Sequence, residues 1–87
     1  MTVDEMGALF RRNGVPEDYY VLDGSLGPGK CYGIEKTGDG WAVYYSERGG
    51  KNVLDRVSGE DAACRLMVGY INTSMRHRFG RVIALPD

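Results

Sequence analysis

The chain has 87 residues with a net charge of −1, and 43% of its residues are hydrophobic and 26% charged. That composition is globular, which argues against disorder of the body, and the near-neutral charge gives no sign of the clustered basic face of a nucleic-acid binder. A chain this short makes one domain, residues 1–87, with a thin core and little room for a deep substrate cavity.

Charge is unevenly spread: residues 1–61 carry −4 and residues 62–87 carry +3. Cys31 and Cys64 are far apart, and Met1 to Arg12 holds Asp4 and Glu5 without the apolar run of a signal peptide. Free, partly buried thiols and a cytoplasmic location are therefore expected. No stretch approaches a membrane span.

Thr2-Val3-Asp4-Glu5 fits a capping box, and Met6, Leu9 and Phe10 recur at helical spacing, with Gly14 and Pro16 as stops. This predicts a first helix over about 3–13. Val15 to Asp18 reads as a turn, Tyr19 to Leu22 as a brief strand, and Asp23 to Gly29 as loop. Three strands follow: Lys30 to Lys36, Trp41 to Ser46 and Asn52 to Val57. The Thr37-Gly38-Asp39-Gly40 turn joins the first two and Gly49-Gly50 the next.

Ser58 reads as the N-cap of a last helix over about 59–76, with an apolar stripe through Ala63, Leu66, Met67, Tyr70, Ile71 and Met75. The expected fold is α+β in the order α-β-β-β-α. Its sheet is a three- to four-stranded antiparallel meander covered on one face by the C-terminal helix. Residues 79–87 read as a tail, loose at Pro86-Asp87 or docked as an edge strand through Val82, Ile83 and Leu85.

Chemical motifs are few. Gly24-Ser25-Leu26-Gly27-Pro28-Gly29-Lys30-Cys31 has Walker A spacing, but Cys31 replaces the metal-binding hydroxyl and a strand follows where a helix is required. It reads as a plain loop. His77, within Arg76-His77-Arg78, complements the end of the last helix. The pairs Asp4-Glu5, Glu17-Asp18 and Glu60-Asp61 sit in first turns and a turn, where acids are expected without catalysis. No catalytic residue, metal site or cofactor is expected.

The aromatics Tyr19, Tyr20, Tyr32, Trp41, Tyr44, Tyr45 and Tyr70 exceed what a thin core absorbs. Trp41, Val43 and Tyr45 point to one face of their strand, and Ala42, Tyr44 and Ser46 to the other. A single helix covers one face, so one set is left to solvent, to the tail or to the first helix. An exposed set would form a protein-binding face, since Trp, Tyr and Arg dominate such contacts.

The run Trp41-x-Val43-Tyr44-Tyr45-Ser46-Glu47-Arg48-Gly49, followed by Ser58-x-Glu60-Asp61-Ala62-Ala63-Cys64, resembles small immunity proteins of bacterial polymorphic toxin systems. The likeness spans about residues 15–71. It implies a non-enzymatic protein, monomeric or weakly dimeric when free, that occludes the active site of a cognate toxin domain in the cytoplasm. Partners are neither nucleic acid nor membrane. Within the family motif Glu47-Arg48-Gly49 reads as turn architecture and Cys64 as core. The interface candidates are Asp18, Tyr19, Tyr20, Asp39, Trp41, Tyr44, Glu47 and Arg48. The rival expectation is a small regulatory or ligand-binding module that stacks a nucleotide or nucleic acid on the sheet.

Overall fold

In a computed structural model that describes residues 1–27 and 29–85, the chain runs α1 (Val3–Arg12), a 3₁₀ turn (Glu17–Tyr19), β1 (Tyr20–Val21), β2 (Cys31–Lys36), β3 (Trp41–Glu47), β4 (Gly50–Val57) and α2 (Glu60–Phe79). The fold is α+β. The strands form one sheet in the order β1-β2-β3-β4. The central meander is antiparallel as expected, but β1 pairs parallel with β2, so the sheet is mixed. The physical reason is the long 22–30 connection, which carries the chain back to the starting end of the sheet before β2 begins.

Local chemistry explains most boundaries. Thr2 and Glu5 form the full capping box at the start of α1, and Gly14 follows its end with a positive φ of 70°. β2 and β3 turn through residues 37–40, where the Thr37 amide donates to the Gly40 carbonyl at 2.8 Å. β3 and β4 are joined by the two-residue loop Arg48-Gly49, with φ of 53° and 78°. Two positive φ values there are the signature of a tight hairpin whose twist matches its strands. α2 starts from Gly59, which offers no side-chain cap, and not from Ser58 as expected. It runs to Phe79, three residues past the expected end, before Gly80 closes it in the left-handed region.

The core lies between the sheet and the two helices. Met6, Leu9 and Phe10 from α1 meet Cys64, Met67, Ile71 and Met75 from α2 over Ile34 and Val43 of the sheet. The helices also meet end to end. The Met1 amine pairs with Asp61 at 2.7 Å and the Val3 amide donates to Glu60 at 2.8 Å. The hydrogen bond between them raises the amine's pKa and, with Arg65, holds the Asp61 carboxyl below its usual range. Cys31 and Cys64 are both buried and free. Burial pushes the Cys64 thiol up to about 11, which leaves it inert near neutrality.

The tail forms no strand over 81–85. It is held by side-chain pairing instead. Asn72 donates to the Ile83 carbonyl at 3.0 Å and accepts from the Ile83 amide at 2.7 Å. Asn72 thus does what a neighbouring strand would do, and Ile83 enters the core at 3% exposure. Pro86 and Asp87, expected to be loose, lie outside the described residues.

Candidate tyrosine groove

The alternation of β3 divides its side chains as expected. Val43 enters the core beneath the helices, while Ala42, Tyr44 and Ser46 face the back of the sheet. That back face is closed, and neither the tail nor α1 closes it. The cover is the glycine-rich loop after β1, the same stretch that mimics Walker A spacing. Tyr44 donates to the Ser25 carbonyl at 2.6 Å, and Ser46 accepts from the Gly27 amide at 3.3 Å. Lys51 reaches across from β4 to the Gly24 carbonyl and to Glu35, and its ammonium lies 4.7 Å from the centre of the Tyr44 ring. The loop is therefore pinned to the sheet as a lid.

Tyr44 is 0% exposed. Its ring lies across its cross-strand partner Gly33, where any Cβ would overlap the phenol. Loss of water around the ring pushes the hydroxyl's pKa up to about 12. Tyr44 offers no surface to a partner, which corrects its place among the interface candidates. A strand-face count cannot foresee burial by a loop that has no periodicity of its own.

The other seven candidates do not form one patch. Asp39 and Trp41 line a shallow hollow of about 250 Å³ with Arg56 and Val57 at one end of the sheet. Glu47 and the exposed Arg48 sit in the hairpin at the opposite end of β3. A strand of seven residues separates the two ends by roughly 20 Å. Asp18 is exposed beside β1, and Tyr20 packs on Phe10 with ring centres 4.9 Å apart. Of the seven, Tyr19 alone joins the half-buried cluster of tyrosines on the helix face.

That group occupies the helix face of the sheet beside Tyr70 of α2. Tyr32 and Tyr45 are cross-strand partners with ring centres 5.1 Å apart. Tyr70 of α2 stacks on Tyr32 at 5.3 Å with the planes only 15° apart. The Tyr70 hydroxyl donates to Asp55 of β4, fixing the helix to the sheet edge and raising the phenol's own pKa. Desolvation likewise raises that of Tyr32.

Two hollows open on either side of the Tyr32–Tyr45 pair. One, of about 260 Å³, is lined by Tyr19, Lys30, Ser74, His77 and Arg78 as well as the pair. The other, of about 330 Å³, is lined by Asn52, Leu54 and Tyr70 with the same pair. Leu54 is 40% exposed at its outer rim. It stands at an irregularity in pairing, because Val43 faces Asp55 while Tyr44 faces Val53. The extra residue is a β-bulge that turns the Leu54 side chain toward the groove. At the far rim the Arg78 guanidinium donates to the Tyr19 hydroxyl at 3.1 Å and lies 5.8 Å from the ring centres of both Tyr19 and Phe79.

Sequence reasoning counted Tyr32, Tyr45 and Tyr70 as surplus aromatics but did not gather them into a site, and it read His77 and Arg78 only as helix-end charges. A signal was present. Extending the pairing of the Thr37–Gly40 hairpin back from Lys36 and Trp41 puts Tyr32 opposite Tyr45. No count along the chain could bring Tyr70, Lys30 and Arg78 to the same place.

Chemically the groove can bind, through π-faces, phenol hydroxyls and a few cations. Among the described residues no three His, Cys, Asp or Glu side chains are placed to hold a metal, and no helix is long and apolar enough to cross a membrane. No family model, curated protein or solved structure matches the chain.

Proposed function

We propose that this chain is an immunity protein, a non-enzymatic inhibitor that binds a cognate bacterial toxin domain and covers its active site. Two lines support the reading. The first is the resemblance carried by Trp41 to Gly49 and Ser58 to Cys64. The second, which carries the structural weight, is the open groove built on Tyr32, Tyr45 and Tyr70. Tyrosine and arginine supply large contact area at low entropic cost and are the residues from which tight interfaces are made. These tyrosines are set by a sheet and a helix, so little ordering is left for association to impose.

Co-expression with candidate toxin domains encoded beside this chain tests the proposal. Copurification and restored growth are expected. A toxin that stays lethal and fails to copurify overturns it.

A second reading has its own observation, the Lys30, His77 and Arg78 rim beside stacked rings. A module that stacks nucleotides or single-stranded nucleic acid uses that combination. Thermal melting with nucleotides and oligonucleotides separates the two, since stabilisation follows from this reading alone.

A further inference from the structure

The two hollows of the groove differ in chemistry. The hollow on the β1 side carries Lys30, His77 and Arg78 and no acidic side chain. The hollow on the β4 side is lined by Asn52, Leu54 and tyrosines and carries no formal charge. Tyr32 and Tyr45 belong to both, so the hollows adjoin across one aromatic wall. Neither hydroxyl of that pair is engaged among the described residues, so both are free to donate.

From this we infer that the groove seats an acidic segment of the protein partner. A carboxylate lies against Lys30 and Arg78, and a neighbouring apolar or aromatic side chain fills the hollow beside Leu54 and Tyr70. The inference rests on the proposed role as a protein inhibitor and names the chemistry its partner must present.

Charge complementarity selects the occupant. Arg78 is the cation suited to a carboxylate, because its planar fork matches the two oxygens. It is already levelled over the groove by its bond to the Tyr19 hydroxyl at 3.1 Å. A nucleic-acid strand fits less well, since backbone tracking needs a continuous positive groove. Here the positive charge stops at one hollow, the next is apolar, and Asp55 stands behind it, held by Tyr70. The sign is also the reverse of what the bulk charge of residues 1–61 suggests. Most of the −4 of that segment lies off the groove: Asp18, whose charge reaches Cys31 in the wall, stands behind it, while Lys30 and Arg78 line the hollow itself.

The test uses a random-peptide phage library panned against the folded wild-type protein and against the Lys30→Glu/Arg78→Glu variant. Both side chains are exposed, so the variant is expected to melt within a few degrees of wild type. Wild type should enrich peptides with Asp or Glu beside Leu, Phe, Tyr or Trp, and the variant should lose that acidic bias. A selected peptide, titrated into labelled protein, should shift the amides of residues 30–32, 45, 52–54 and 74–78. Its affinity should fall about tenfold or more in the variant. Enriched peptides without acidic bias, shifts confined elsewhere, or tighter saturation of the same amides by oligothymidine would each overturn the inference. The two proposals fail separately. If wild type and variant protect equally against the toxin, the groove inference falls and the immunity reading stands. If the toxin is not bound but acidic peptides are, the reverse holds.

Discussion

Tyr44 and Tyr45 are adjacent in the chain and meet opposite fates. Tyr44 is sealed on the back of the sheet between Gly33, Lys51 and the loop through Ser25. Tyr45 stands half-buried on the helix face and forms the wall shared by two open hollows. The helix, which the sequence advertises most clearly, leaves part of its own face open. The loop, which the sequence advertises least, closes the other. An aromatic surplus is thus divided between stability and surface by a cover that carries no periodic pattern.

The sharpest way to break this comparison is to truncate each tyrosine. Tyr44→Ala should cost about 3–5 kcal/mol in denaturant unfolding, the range for emptying a large buried aromatic site. Tyr45→Ala should cost no more than about 1 kcal/mol while weakening partner binding strongly. Equal losses of stability would show that the two faces are not different in kind.

Gly33→Ala comes next. The added methyl falls on the Tyr44 ring, and forcing the phenol aside should cost about 1–3 kcal/mol and loosen the loop. A neutral result in the same unfolding assay would mean the ring is not seated there.

Tyr44→Phe keeps the ring and removes only the hydroxyl's bond to Ser25, at about 1 kcal/mol. Its pH dependence is more telling than its size. The folded hydroxyl has its pKa raised to about 12, against an ordinary value near 10. The native state therefore holds this proton more tightly than the unfolded chain does. The resulting stability is fully present below about pH 10 and is lost as pH rises through the folded pKa. The advantage of wild type over Tyr44→Phe should be constant up to about pH 10 and shrink between there and pH 12. A difference that stays flat across that window would show that the hydroxyl is not desolvated.

The smallest effect is expected from Lys51→Ala, about 1 kcal/mol or less, because the Glu35 pair is partly solvated. Its readout is local. Amides of Ser25 and Gly27 should exchange faster with solvent, while those of β3 remain protected.

Much of the fold was legible because it is written in local chemistry. The capping box at Thr2 and Glu5, the stop at Gly14, the hairpin at Asp39-Gly40 and the stripe of α2 each depend on residues close in sequence. The second hairpin, by contrast, turns at Arg48-Gly49, one residue before the expected Gly49-Gly50, because Gly50 already pairs with Glu47. The parallel pairing of β1 was not legible, since Tyr20 and Val21 meet Tyr32 and Gly33 only after a long connection. Asp39, Trp41, Glu47 and Arg48 were grouped by nearness in sequence, but an extended strand spreads such neighbours to opposite ends of the sheet.

By itself the sequence determined the elements, their order and the alternation that sends Tyr44 and Tyr45 to opposite faces, because turn chemistry and side-chain periodicity act over a few residues. Tertiary structure alone decided which of the two faces water reaches. A glycine-rich loop lies over one through single hydrogen bonds to Tyr44, Ser46 and Lys51. Asn72 straps the tail at Ile83, and α2 brings Tyr70 and Arg78 to a groove whose Tyr32–Tyr45 wall lies 25 or more residues away in the chain. Such contacts join groups with no shared local pattern, so they exist only once the chain has closed on itself.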